Sequence, residues 1–217
     1  MKKLTLPANI SIYKELERRI IEMEYQPGDA LVEKKLIEEF GVSRTPIREA
    51  ILKLSEKGLL DLKPRVGTFV TQIDLPSVKY AYEVKKNLEG LAAELAAKRA
   101  SQDQVDELFE IIERFDKYDI VKDYKDCIKD DQRFHRIIRE ASNNPLLIEM
   151  LEELNIKTAR FLQYINYVLE DVNWFKASLT EMAEAIKAQD EEGARRATEV
   201  HTSEFLEQMS RRFFSRD

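Results

Sequence analysis

Two histidines and an aspartate are the residues of this sequence best suited to bind a ligand or a metal ion. Asp131 and His135 stand four residues apart, so on a helix both side chains leave one face, the spacing that a two-ligand metal clip requires. His201 is the only other histidine. One carboxylate with two imidazoles suits a divalent transition metal, zinc or nickel above all. The same i, i+4 pair can also be a surface hydrogen bond, so the set acquires meaning only if the fold gathers it. A second set lies nearer the start of the chain, where Arg44, Thr45 and Arg48 share the exposed side of a short helical stretch. Two arginines about one turn apart at the beginning of a helix are placed to meet phosphate oxygens or guanine edges in a major groove.

That stretch must be held by an apolar face, and Ile47, Ala50, Ile51 and Leu54 supply one at i, i+3, i+4 and i+7. Ser43 or Thr45 can cap the helix, Pro46 suits its first turn and Gly58 stops it. Upstream, Ile12, Leu16, Ile20 and Met23 predict a first helix over residues 10–23, followed by a Pro27-Gly28-Asp29 turn. A second helix, Glu33 to Phe40, points Leu36, Ile37 and Phe40 inward and ends at Gly41. After Gly58 the period falls to about 2. Leu60 and Leu62 alternate with Asp61 and Lys63, a tip of Pro64-Arg65-Val66-Gly67 follows, and Thr68 to Thr71 returns. This is a small β-hairpin with a basic tip. Three helices and such a wing make a winged helix-turn-helix.

Residues 73–76 read as a linker with Asp74 as a cap, and from Ser77 the periodicity is helical almost to the end. Helices are predicted over 78–100, from the Ser101–Gln104 capping box to about Asp116, and over 121–142, where Asn143-Asn144-Pro145 breaks the chain. Further helices are predicted over 146–170 and 173–189, and from Asp190 as a cap to Phe214. Tyr82, Leu88, Leu91, Ala92 and Leu95 are the expected inward stripe of the first of these; Ala194, Ala197, Val200, Phe205 and Met209 are that of the last. About six antiparallel helices with short turns form a bundle, and bundle interiors are where ligand and metal sites are built. Phe161, Tyr164, Tyr167, Trp174 and Phe175 read as core or dimer surface. The expected architecture is therefore mostly α, with a DNA-binding domain over residues 1–73 and an all-α effector-binding and dimerisation domain over 74–217.

Composition agrees with that division. The 217 residues are 43% hydrophobic and 35% charged, with only six glycines and six prolines, which favours helices over sheet. The net charge of −6 is unevenly spread: residues 1–73 carry 13 Lys and Arg against 11 Asp and Glu, the remainder 22 against 30. Only the first third could tolerate a polyanion. No apolar run reaches spanning length and none follows Lys2 and Lys3 as in a signal peptide, so a cytoplasmic protein is expected. The single Cys127 allows no internal disulfide and reads as a small packed side chain.

The run from Tyr13 to Val70 resembles the GntR family of bacterial transcription regulators. The resemblance rests on Gly28-Asp29, Ser43-Arg44-Thr45-Pro46-Ile47-Arg48-Glu49-Ala50, Gly58-Leu59-Leu60 and Gly67-Thr68-Phe69-Val70, in order and at the right spacing. It implies DNA contacts from Lys34, Arg44, Arg48 and the wing tip at Gly67, to which position adds Thr45 and Arg65. Where this chain has Lys34 the family usually has arginine, and a lysine keeps a phosphate contact but loses the fork that grips guanine. Residues 76–213 are similar to the helical ligand-sensing (FCD) domain of the FadR-like branch. The motifs are Glu83-Val84-Lys85 with Leu88-Glu89, Asp131 to His135 with Ala141-Ser142-Asn143-Asn144-Pro145, and Asp190 leading to Ala197 and His201. This likeness implies Asp131, His135 and His201 as metal ligands, with Leu179 standing where relatives carry another histidine. It also implies Lys85 at the place of an arginine that holds an effector carboxylate, which a lysine can do as a point charge, and a half-exposed bundle lysine is an equal reading of that residue.

Two function classes follow. One is a ligand-responsive regulator that binds a palindromic operator as a homodimer and senses a small anionic effector, such as an organic acid, with no membrane partner. The other is a metal-dependent hydrolase with an accessory DNA-binding module, a reading that finds no general base beside the metal.

Overall fold

The computed structural model describes residues 7–119, 121–165 and 172–211. Within them the chain forms two compact units that divide between Asp74 and Leu75.

The first unit holds helices α1 (Ala8–Ile21), α2 (Glu33–Phe40) and α3 (Arg44–Glu56) and strands β1 (Ala30–Leu31), β2 (Leu60–Lys63) and β3 (Gly67–Val70). Its core is Ile12, Leu16 and Ile20 of α1 against Leu36 of α2 and Ile47, Ala50, Ile51 and Leu54 of α3. Only Leu36 of α2 is buried. Phe40, expected inward, is half-exposed beneath the Arg19 guanidinium, 5.5 Å from its ring centroid, while Arg19 also reaches Glu39 at 2.6 Å. Met23 lies beyond the end of α1 with φ 61°. Gly41 closes α2 in the left-handed region at φ 64°, the conformation a helix C-terminus most readily takes with glycine. The wing is three-stranded, in the order β1-β3-β2, all antiparallel. The Pro27-Gly28 turn delivers the added strand beside β3, where Gly28 N donates to the Val70 carbonyl and Val70 N to that of Asp29.

The second unit is an all-α bundle: α4 (Leu75–Arg99), α5 (Gln102–Arg114), a 3₁₀ turn (Phe115–Lys117), α6 (Tyr124–Ala141), α7 (Pro145–Tyr164), α8 (Val172–Lys187) and α9 (Glu191–Met209). Helix α4 begins inside the expected linker, because Pro76 falls in the first turn, where its missing N–H leaves no intrahelical bond unmade. The Ser101 capping box at α5 is formed as expected, and Asp190 caps α9 by accepting from Gly193 N. The parts of the predicted helices over 166–170 and 212–214 lie outside the described residues.

Helix α4 packs along α6, α7, α8 and α9, and its buried face differs from the expected stripe. Tyr82 and Ala92 are buried as expected, but the small residues Gly90, Ala93, Ala96 and Ala97 also go inward, and Leu88, Leu91 and Leu95 are only half-buried. Large side chains would hold the neighbouring helices apart. A Cβ at Gly90 would come within 2.9 Å of the Glu199 carboxylate and 3.0 Å of its Cγ on α9, so a larger residue there would push that side chain aside. Val200 on α9 is likewise exposed rather than inward.

Candidate functional site

Helix α6 brings Cys127, Asp131 and His135 onto one face at successive i+4 steps, and that face lines a pocket in the bundle. Helix α4 contributes Tyr82, Lys85 and Glu89, and α9 contributes His201, Thr202 and Phe205. One ligand atom from each of Asp131, His135 and His201 lies within 4.8 Å of the others. Residues 66 or more apart in sequence thus meet through the packing of α6 against the rest of the bundle. Leu179, fully buried on α8, is absent from the residues that line the pocket.

The three side chains are poised as ligands. Asp131 Oδ1 sits 3.4 Å from His135 Nε2 yet is buried without a hydrogen bond of ordinary geometry, and His135 Nδ1 is also buried without a hydrogen-bond partner among the described residues. Burial pushes Asp131 up; the neighbouring imidazoles and Lys85 outweigh it and hold the carboxyl below its ordinary range. His201 is pushed down to about 3, chiefly by burial and then by His135, so its imidazole is neutral at physiological pH. Its Nδ1 lies 2.8 Å from Ser178 Oγ, whose hydroxyl donates to the Phe175 carbonyl at 2.7 Å. With the single hydroxyl proton given to Phe175, Nδ1–H of His201 is the donor, and Nε2 keeps a lone pair for a ligand. Trp174 stacks parallel to the same ring (centroids 5.8 Å apart, planes 4° apart) and Phe175 packs on it at 5.6 Å. A neutral, oriented imidazole and two under-satisfied buried polar atoms fit a divalent cation.

Lys85, readable from sequence as a half-exposed lysine, keeps 13% of its side chain exposed at the pocket. Its Nζ lies 3.9 Å from Glu89, 3.4 Å from Asn155 Oδ1 and 3.4 Å from Thr158 Oγ1. Burial depresses its pKa, against the attraction of Glu89 and Asp131. Behind it Arg139 donates to Glu89 at 2.9 Å, both side chains almost wholly buried. Sequence reasoning gave Arg139 and Ser178 no role, used Glu89 only as part of a motif and read Trp174 only as core or dimer surface. Ser178 lies outside any motif, and a single acidic or basic residue in a charged sequence carries no signal of burial. Of the aromatic stretch, Phe161 is core and Tyr164 is half-exposed, but Phe175 lines the pocket; Tyr167 lies outside the described residues.

In the winged unit Arg44, Thr45 and Arg48 are all exposed on α3, as are Lys34 on α2 and Arg65 and Gly67 at the wing tip. Ser43 stands at the N-cap position of α3 without a side-chain capping bond. Arg48 Nε bonds the Glu33 carboxylate at 3.1 Å, a pairing that does not use the two terminal nitrogens of its fork. Arg65 adopts φ 62° at the turn.

Residues 10–70 match the model of the bacterial regulatory proteins of the gntR family, and residues 80–204 match the FCD domain. This chain belongs to the GntR family. Among its relatives, the uncharacterized HTH-type transcriptional regulator YdhC of Bacillus subtilis (strain 168) is 31% identical over 163 residues, 74% of this chain and 72% of that protein. The HTH-type transcriptional repressor RspR of Escherichia coli (strain K12) is 27% identical over 205 residues, 94% and 89% of the two chains. The solved structure of E. coli McbR/YncC has the same fold, with a TM-score of 0.81 at 23% identity, covering 96% of this chain and all of that one. This GntR protein is accordingly a transcription regulator with a winged DNA-binding part and an FCD part, and the hydrolase reading falls with that assignment. Among the described residues no helix is long and apolar enough to cross a membrane.

Proposed function

We propose that this GntR regulator works in the cytoplasm as a homodimer on a palindromic operator. A small anionic effector, an organic acid in chemical class, sets its DNA affinity from the FCD pocket. The observation that carries the reading is the convergence of Asp131, His135 and His201 within 4.8 Å, in a pocket that Lys85 also lines. These residues would hold a divalent transition metal, zinc or nickel by the character of the donors, and such an ion supplies a fixed positive charge for the effector's carboxylate. Two imidazoles and one carboxylate leave coordination directions for water and effector oxygens. Lys85 adds a second positive group, and the rings of Trp174 and Phe175 restrain His201 while Phe205 adds an apolar wall to the pocket.

On the DNA side, Arg44, Thr45 and Arg48 are the base-reading set, with Lys34, Arg65 and the Gly67 backbone positioned for phosphates. Dimerisation is supported by unpartnered apolar side chains on two helices that pack together, Tyr80 and Val84 on α4 and Leu146 and Met150 on α7. Two copies are also needed energetically, because one winged unit with so slight a positive charge releases few counterions. Elemental analysis and zinc titration of wild type beside the His135→Ala/His201→Ala double variant test the metal. One tightly bound zinc per wild-type chain and none in the variant is expected; equal binding would reduce the site to a polar core cluster. Anisotropy titration of the zinc-loaded full chain on its own upstream DNA, with and without an organic-acid panel, tests the regulatory reading.

A further inference from the structure

We propose that Glu89 is a recognition point of the pocket and that the effector therefore carries a hydroxyl or ammonium donor as well as its carboxylate. This deepens the metal-and-anion reading above and rests on it.

Glu89 is 1% exposed and lines the pocket together with Lys85, Asp131 and the two histidines. Its two oxygens are in different situations. Oε1 accepts from Arg139 at 2.9 Å and lies 3.9 Å from Lys85 Nζ. Oε2 is buried and has no hydrogen-bond partner among the described residues. Burial pushes this carboxyl up, but Arg139 and Lys85 outweigh it and hold it below its ordinary value, so the group is ionised. An ionised carboxylate can only accept. Whatever satisfies Oε2 from the pocket must therefore donate, and a buried acceptor left unpaired is costly enough for folded proteins to avoid it.

The charges around the pocket set the rest of the ligand. Lys85 and Arg139 are balanced by Glu89 and Asp131, so a divalent ion at the Asp131, His135 and His201 cluster leaves an excess of positive charge for an anion. A carboxylate goes to that end and to Lys85. The same carboxylate placed against Glu89 would be repelled, whereas an adjacent O–H or N–H would close its open bond. An acid of the same skeleton without the donor fills the pocket but leaves Oε2 unpaired. Sites built to bond a ligand's hydroxyl reject the analogue lacking it strongly.

The test is calorimetric titration of the zinc-loaded full chain with L-malate, L-aspartate and succinate, which differ only in carrying a hydroxyl, an ammonium or a hydrogen at one carbon. Wild type should bind malate or aspartate at least tenfold more tightly than succinate, and which of the two wins identifies the donor. Because a hydroxyl or amine can also reach the metal, the deciding comparison is Glu89→Gln, in which the preference should fall to within about twofold while zinc stoichiometry stays unchanged. Glu89→Asp, which keeps a charge for Arg139 but withdraws the carboxylate, should do the same if the glutamine variant fails to fold. Equal binding of all three acids by wild type, or a preference that survives in the variants, overturns the Glu89 proposal alone. Zinc-loaded wild type that binds none of the three overturns the anionic-effector reading for this acid class, and the proposal with it.

Discussion

The His201 ring is fixed by Ser178, whose hydroxyl stands 2.8 Å from Nδ1 while donating to the Phe175 carbonyl. The tautomer that leaves Nε2 free for a ligand therefore depends on a residue that does not line the pocket. Ser178→Ala should lower zinc affinity about 10- to 100-fold, as loss of an outer-shell partner typically does, without changing helix content. Competition titration against a chromophoric chelator measures it, and an unchanged constant would mean the ring is held by Trp174 and Phe175 alone.

A pH dependence follows from the same histidine. Unfolded, an imidazole takes its proton near 6.5; folded and metal-free, His201 is held down to about 3 by burial. Between these values the unfolded chain binds more protons, so stability must fall as pH drops, by at most about 1.4 kcal/mol per pH unit for one group. Asp131, depressed in the fold, acts in the same direction only at lower pH. Urea melts of the metal-free protein between pH 7 and 5 should show this decline, with a shallower slope in His201→Gln.

Arg48 and Glu33 set a contrast on the DNA-reading face. Arg48→Ala and Arg44→Ala should each weaken operator binding by about 1–3 kcal/mol if they reach base edges. Glu33→Ala removes both a negative charge and the partner of Arg48 Nε. Anisotropy should show tighter binding to random DNA and a smaller operator preference; an unchanged ratio would make the pair incidental.

Dimer formation can be probed on the full chain through Val84, which is 50% exposed on α4. Val84→Glu should sediment as a monomer at micromolar concentration and bind the operator about a hundredfold more weakly, since the second half-site no longer gains from being linked. A stable dimer in this variant would move the interface to another face.

The sequence by itself determined the winged unit almost completely. Its signals are local: the apolar spacing of Ile47, Ala50, Ile51 and Leu54, the stop at Gly41 and the alternation through Leu60 and Leu62 act within a turn or a hairpin. The third strand escaped notice because two residues, Ala30 and Leu31, are too short to show a period. In the bundle the helices and caps were legible for the same reason, as was the i, i+4 pair of Asp131 and His135. Only the tertiary structure decided which face of α4 is buried. Hydrophobicity pointed to Tyr82 and Ala92, which are buried, and to Leu88, Leu91 and Leu95, which packing left half-buried while taking in Gly90, Ala93, Ala96 and Ala97. The tertiary structure alone brought His201 to α6, drew Lys85 and Glu89 to one pocket, and set Ser178 and Trp174 against an imidazole. Burial and long-range proximity are properties of how helices pack, and a polar residue looks the same in sequence whether it ends in solvent or in a pocket.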